Sequence, residues 1–115
     1  MLRGEIRWVD LDPALRGEAD KMRPAVIVSN DGANTTAARL GHGVVTVVPI
    51  TTSTDRIYPF QVLLPAAKTG LDRDSKAQAE QVRSVSVERV REQIGSIPAP
   101  LMLEVNEALR LHLAL

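Results

Sequence analysis

KMRPAVIVSND, from Lys21 to Asp31, is the stretch that decides how the rest of this chain is organised. Arg23-Pro24 leads into the β-branched run Val26-Ile27-Val28, and the turn residues Asn30-Asp31-Gly32 close it. A short apolar run bounded by such punctuation reads as a largely buried strand over Ala25 to Ser29. Pro24 has no ladder donor, which suits the first residue of a strand. The residue before a proline is pushed into extended backbone, so Arg23 is expected at the mouth of that strand. A permanently charged guanidinium held there is either an ion-pair partner or an anion clamp. On these residues alone both readings stay open.

Outward from this stretch, Arg3 to Leu11 alternates, with Ile6 and Trp8 pointing one way and Arg7, Val9 and Leu11 the other. That is strand spacing with both faces partly covered. Ala14 to Met22 has no apolar period and reads as a polar loop leading into Arg23. Asn30 or Asp31 caps a short helix over Ala33 to Leu40, closed by Gly41-His42-Gly43. Val44 to Ile50 is a second buried strand, broken only by Pro49, and the hydroxyl cluster Thr51 to Thr54 follows it. Such a cluster also serves simply to satisfy turn backbone. Tyr58 to Leu64 reads as a strand and Ala66 to Asp72 as a loop. Asp72 to Ser84 alternates like an extended strand with Lys76, Gln78 and Glu80 on its polar face. Ser86 caps a short helix reaching about Arg91, and Gln93 to Ile97 is a short strand. Pro98 and Pro100 introduce a last helix whose stripe is Leu101, Val105, Ala108, Leu109 and His112. Leu103, Leu111 and Ala114 lie off that stripe and predict a second contact surface. The pattern is mostly β with short helices: a small, strongly curved antiparallel sheet, nearly a barrel, with a C-terminal helix packed outside.

Composition narrows the function. At 115 residues the chain is expected to be one domain, 1–115, small enough for oligomerisation to help its stability. Formal net charge is zero, so any anion site must be local rather than a global basic field. With no cysteine, disulfide frameworks and thiolate chemistry are out, and a reducing compartment fits. No run approaches the length of a membrane span and the first residues lack a signal-peptide core, so a cytoplasmic protein is expected. Two isolated histidines and no thiol form no recognisable ligand set. No phosphate-cradling glycine motif occurs. Neither metal nor cofactor is expected.

Five motifs in order, RGEIRWVDLDP (Arg3 to Pro13), a loop holding Glu18, RPAVIVSND, VVTVVPIT (Val44 to Thr51) and EQVRSVS (Glu80 to Ser86), resemble the MazF/PemK family of toxin endoribonucleases. The likeness spans almost the whole chain. It implies the SH3-like small barrel shared with the CcdB and Kid toxins, a homodimer, single-stranded RNA as substrate and a cognate antitoxin as neutralising partner. It further implies metal-free cleavage at short specific sequences, leaving a 2′,3′-cyclic phosphate and a 5′-hydroxyl. The arginine before proline and the threonine closing the P-I-T strand are the family's catalytic positions, and they fall on Arg23 and Thr51.

The residues are suited to that chemistry. Cleavage needs positive charge on the phosphorane as it forms, and an arginine can bond its non-bridging oxygens bidentately. Thr51 adds a hydroxyl donor. The proton-transfer groups are less plain: Glu18 and Glu80 are the carboxylate candidates, whereas His42 and His112 read as solvated or structural. Kid-like members carry a histidine in the first loop and others a serine, where this chain has Gly17; they carry an arginine and an aspartate where it has Gln78 and Glu80. Lys21, Thr52, Ser53, Gln78, Gln81 and Arg83 complete the candidates for RNA contact, with a structural ion pair the alternative for Arg83. The competing function is a CcdB-like toxin that traps gyrase without cutting RNA, but that group uses a tryptophan near its C-terminus and the only one here is Trp8. A peptide-binding SH3-like module would need more than one Trp, one Tyr and one Phe to line its groove.

Overall fold

The computed structural model describes residues 1–12 and 21–115. Seven antiparallel strands form one sheet: β1 (Glu5–Asp12), β2 (Lys21–Ile27), β3 (Val44–Thr51), β4 (Gln61–Leu64), β5 (Ser75–Gln78), β6 (Arg83–Ser86) and β7 (Val90–Ser96). Helices α1 (Asp31–Leu40), α2 (Ala66–Thr69) and α3 (Ala99–Leu113) complete the described elements, with single 3₁₀ turns at Ala79–Gln81 and Val87–Arg89. The strand order is β4-β5-β3-β2-β1-β7, and β6 pairs with β3 beside β5. This is the mostly β architecture with a C-terminal helix that the sequence predicts.

Alternation along β1 splits the apolar residues between two cores. Ile6 joins Val26, Val48, Leu64 and the α3 residues Leu101, Val105 and Ala108. Val9 and Leu11 join Ala25, Ile27, Val45, Val47 and Ala37 of α1 on the other face. Arg3 ties the two sides: its backbone N–H meets Asp31 Oδ1 at 2.7 Å, its Nε the carbonyl of Val28 at 2.8 Å and its Nη2 Asn106 Oδ1 at 2.6 Å. Asn30 caps α1 by accepting from the Ala33 N–H, and Gly41 ends it in the left-handed region at φ 73°. A Cβ on Gly95 of β7 would stand 2.3 Å from the Thr69 carbonyl oxygen, so only glycine lets the α2 turn close against that strand.

Several boundaries differ from expectation. β2 begins at Lys21, so Arg23 and Pro24 stand inside a strand rather than at its mouth, opposite Val9 and Trp8. Among the described residues this end pairs with β1, with Met22 and Pro24 half-buried and Arg23 exposed. The loop expected over Ala14 to Met22 otherwise lies outside the described residues. Tyr58 and Phe60 precede β4 instead of belonging to it, and α2 occupies the expected Ala66–Asp72 loop. The long extended segment is two strands, broken by the 3₁₀ turn at Ala79–Gln81. The helix expected after Ser86 is one 3₁₀ turn, followed by a longer β7. His112, expected on the inner stripe of α3, is exposed, while Leu103, Leu111 and Ala114 lie outward as expected.

The join between β2 and β3 is where the sheet opens. Their register runs Ile27↔Val47, Val26↔Val48, Ala25↔Pro49 and then stops. In an antiparallel ladder alternate pairs exchange both N–H···O bonds. The pair at Ala25 contains Pro49 and the next would contain Pro24, so whichever phase the ladder takes, it meets a missing donor. The strands part there.

Candidate active site

Continuing the stopped register by two residues would set Arg23 opposite Thr51. The described ladder ends before that rung, and both residues line one cleft of about 350 Å³. Arg23 is exposed, and period 2 puts it on the same face of β2 as Ala25 and Ile27. Thr51, half-buried, closes β3, which β5 holds on its other edge through Ile50↔Ala77 and Thr51↔Lys76. Gln78 from the end of β5, Gln81 from the 3₁₀ turn and Arg83, which pairs with Val47, line the same cleft. Its apolar floor includes Leu11 and Ile50.

The chemistry of this lining is uniform. Two guanidiniums, two carboxamides and a hydroxyl converge, and no carboxylate lines the cleft among the described residues. In a chain of zero net charge this is a local cationic site. Thr51 Oγ1 accepts from the Ser53 backbone N–H at 3.3 Å, which orients the oxygen and leaves its own proton to donate into the cleft. Arginine can grip two oxygens of one phosphate at once, with the threonine hydroxyl beside it. Among the described residues no group of three or more His, Cys, Asp or Glu side chains converges. No helix among them is long and apolar enough to cross a membrane.

The structure thus brings together Arg23, Thr51, Gln78, Gln81 and Arg83. Ser53 acts on Thr51 through its backbone. Thr52 faces elsewhere, into a second cleft of about 410 Å³ with Trp8, Pro24, Leu71 and Ile94. Glu18 and the side chain of Lys21 lie outside the described residues. Glu80 does not line the Arg23 cleft: its Oε2 accepts from Gln61 Nε2 at 2.7 Å, and its Oε1 is buried without a hydrogen-bond partner among the described residues. The turn at Ala79–Gln81 breaks the alternation that would have put Glu80 beside Gln78. Gln61, which no sequence motif singles out, relays the contact by accepting from the Tyr58 N–H at 3.1 Å. Pro49 reads in the sequence only as an interruption of β3; its role in opening the cleft emerges from the register.

Comparison with known proteins places the chain in a family. Over residues 2–113 the chain matches the PemK-like, MazF-like toxins of type II toxin–antitoxin systems, and it belongs to that family. It is 58% identical over 115 residues to endoribonuclease MazF9 of Mycobacterium tuberculosis, covering 100% of this chain and 98% of that protein. Endoribonuclease EndoA of Bacillus subtilis is 31% identical over 114 residues, covering 98% and 94%. Among solved structures, a mycobacterial endoribonuclease in complex with its cognate antitoxin superposes with TM-score 0.78 at 25% identity, covering 100% of this chain and 96% of that one. A MazE–MazF complex from Deinococcus radiodurans gives TM-score 0.78 at 27% identity, with the same coverage.

The placement of Glu80 makes a testable distinction. Glu80→Ala should strand the buried Gln61 amide, at a cost of about 1–3 kcal/mol, and lower the melting temperature by several degrees. Single-turnover cleavage at saturating RNA and below that temperature should stay close to wild type. A rate loss of about 10²-fold or more, the size expected for a transition-state donor, would return Glu80 to the catalytic set.

Proposed function

We propose that this chain is a cytoplasmic endoribonuclease toxin, acting as one domain over residues 1–115, that cuts single-stranded RNA at short specific sequences without a metal ion. The observation that carries the reading is Arg23 and Thr51 lining one cationic cleft, in a member of a family whose relatives are named endoribonucleases. In the reaction the 2′-oxygen attacks the adjacent phosphorus, so the P–O2′ bond forms as the P–O5′ bond breaks. The 2′ proton passes to a base, and a proton reaches the departing 5′-oxygen. The ends are a 2′,3′-cyclic phosphate and a 5′-hydroxyl.

Arg23 stabilises the charge growing on the non-bridging oxygens, and Thr51 donates to the same phosphate. A guanidinium gives up its proton too reluctantly to serve as the general acid. Arg83, Gln78 and Gln81 hold the strand on either side of the cut. Of the two carboxylates that the sequence offers, Glu80 is directed away from the cleft, which leaves Glu18 for proton transfer. Glu18→Gln should therefore lower the cleavage rate at neutral pH, and an unchanged pH–rate profile would remove it from that role. Complexes of two solved relatives with antitoxins support a cognate antitoxin as partner. The gyrase-trapping alternative is not favoured, since the relatives are endoribonucleases and the single tryptophan, Trp8, lies on β1.

Arg23→Ala should lower single-turnover cleavage by about 10²–10³-fold and leave the melting temperature nearly unchanged, because the side chain is exposed. Thr51→Val should lower the rate while RNA binding persists. The double variant should lose less than the product of the two losses, as groups acting on one phosphate are non-additive. An Arg23→Ala protein that is folded and cuts at wild-type rate would refute the assignment.

The chain should also work as a homodimer. Leu103, Leu111 and Leu115 are 66%, 57% and 85% exposed, and Leu103 and Leu111 border a groove against β4 with Val62 and Ala108. Association of two copies would cover this apolar surface. Sedimentation at micromolar concentration should show a dimer; a monomer with full cleavage activity would contradict it.

A further inference from the structure

Lys76 of β5 is a buried charge that the chemistry described above leaves unused. It is 7% exposed, and a lysine is almost never so covered unless it is paired. No carboxylate pairs with it among the described residues. Its Nζ donates to the Arg56 carbonyl at 2.6 Å and lies 5.9 Å from the centroid of the Tyr58 ring. A carbonyl dipole and a ring face hold the ammonium in place, but neither cancels its charge. Burying an uncancelled charge costs stability, so what stands beside it decides whether the charge serves the site.

The neighbour is Thr51. The two residues are cross-strand partners, and directly opposed residues send their side chains to the same face of a sheet. Gln78, two residues along β5, shares that face and lines the cleft with Arg23 and Thr51. Lys76 itself is not part of the lining. The ammonium therefore stands behind the cleft wall, and its field crosses protein before it reaches the cleft. A buried charge is screened far less by salt and water than one on the surface, and it acts over longer distances.

We propose that Lys76 is a supporting charge for the reaction: from behind Thr51 it adds positive potential at the phosphate as negative charge grows on the phosphorane. This rests on the endoribonuclease reading. The role differs from those of Arg23 and Thr51, because Lys76 does not line the cleft and bonds no reacting atom. It requires only that a charge be kept at that place, whatever group carries it.

The chain has no cysteine, which permits a test of the charge alone. Lys76→Cys is alkylated in denaturant and refolded, one sample with 2-bromoethylamine and another with iodoacetamide; wild type taken through the same cycle is the reference. Both new side chains reach as far as lysine and end in an N–H donor for the Arg56 carbonyl, but only the aminoethyl one is charged. At saturating RNA the aminoethyl protein should cut at close to the wild-type single-turnover rate. The carbamoylmethyl protein should be slower by roughly 10-fold, the size of a unit charge felt across ~10 Å of protein, and should melt no lower than the aminoethyl one. Equal rates for the two would overturn the proposal and leave Lys76 as a peg for the Arg56 carbonyl. So would a loss that follows a lower melting temperature and vanishes on cooling. If the alkylated proteins do not refold, Lys76→Arg and Lys76→Met are compared in the same assay, with the arginine variant expected to be faster by a similar factor and equal rates again refuting the idea. A wild type that cuts no RNA would overturn the endoribonuclease reading itself, and the supporting charge with it.

Discussion

Two missing backbone donors shape the functional end of this molecule. Pro24 and Pro49 stand in consecutive rungs where β2 meets β3, and the ladder stops after Ala25↔Pro49. Beyond that point Arg23 and Thr51 would have been neighbours in a continuous sheet, filling each other's space. With the rungs gone they become the walls of a cleft. Rigidity is kept by the outer partners: β1 holds β2 along its whole length, and β5 holds the end of β3. Both walls of the opening are thus set on paired strands.

The charge of the site is equally local. A chain with balanced charges has no long-range pull on nucleic acid. Its cleft nonetheless carries Arg23 and Arg83 without a carboxylate in the described lining. Glu80 is turned away: one of its oxygens accepts from Gln61 and the other is buried. The arrangement suits close contacts with a bound anion over diffuse attraction.

Much of this is legible in the residues. Alternation in β1 and the apolar runs of β2 and β3 announce a β fold, and the ordered motifs put Arg23 and Thr51 together before any geometry is known. What escapes detection depends on pairing partners. The start of β2 is hidden because Lys21 to Pro24 is held by pairing with β1 and carries no apolar alternation. Glu80 falls beside Gln78 only if alternation is carried through Ala79–Gln81, where a 3₁₀ turn rotates the chain. Tyr58 and Phe60 have strand-like spacing, and only the Gln61 N–H donating to the Tyr58 carbonyl shows that they belong to a turn. The meaning of the two prolines requires the register between strands that are distant in sequence.

The central claim is that protein side chains, with no metal ion, carry the phosphate through an internal attack by the 2′-hydroxyl. Its most direct test is the identity of the new ends when purified protein cuts a defined single-stranded RNA in excess EDTA. Cleavage should continue in EDTA and yield a 5′-hydroxyl on one fragment and a 2′,3′-cyclic phosphate on the other. Cleavage that stops in EDTA and returns with Mg²⁺, or that leaves a 5′-phosphate, would contradict it.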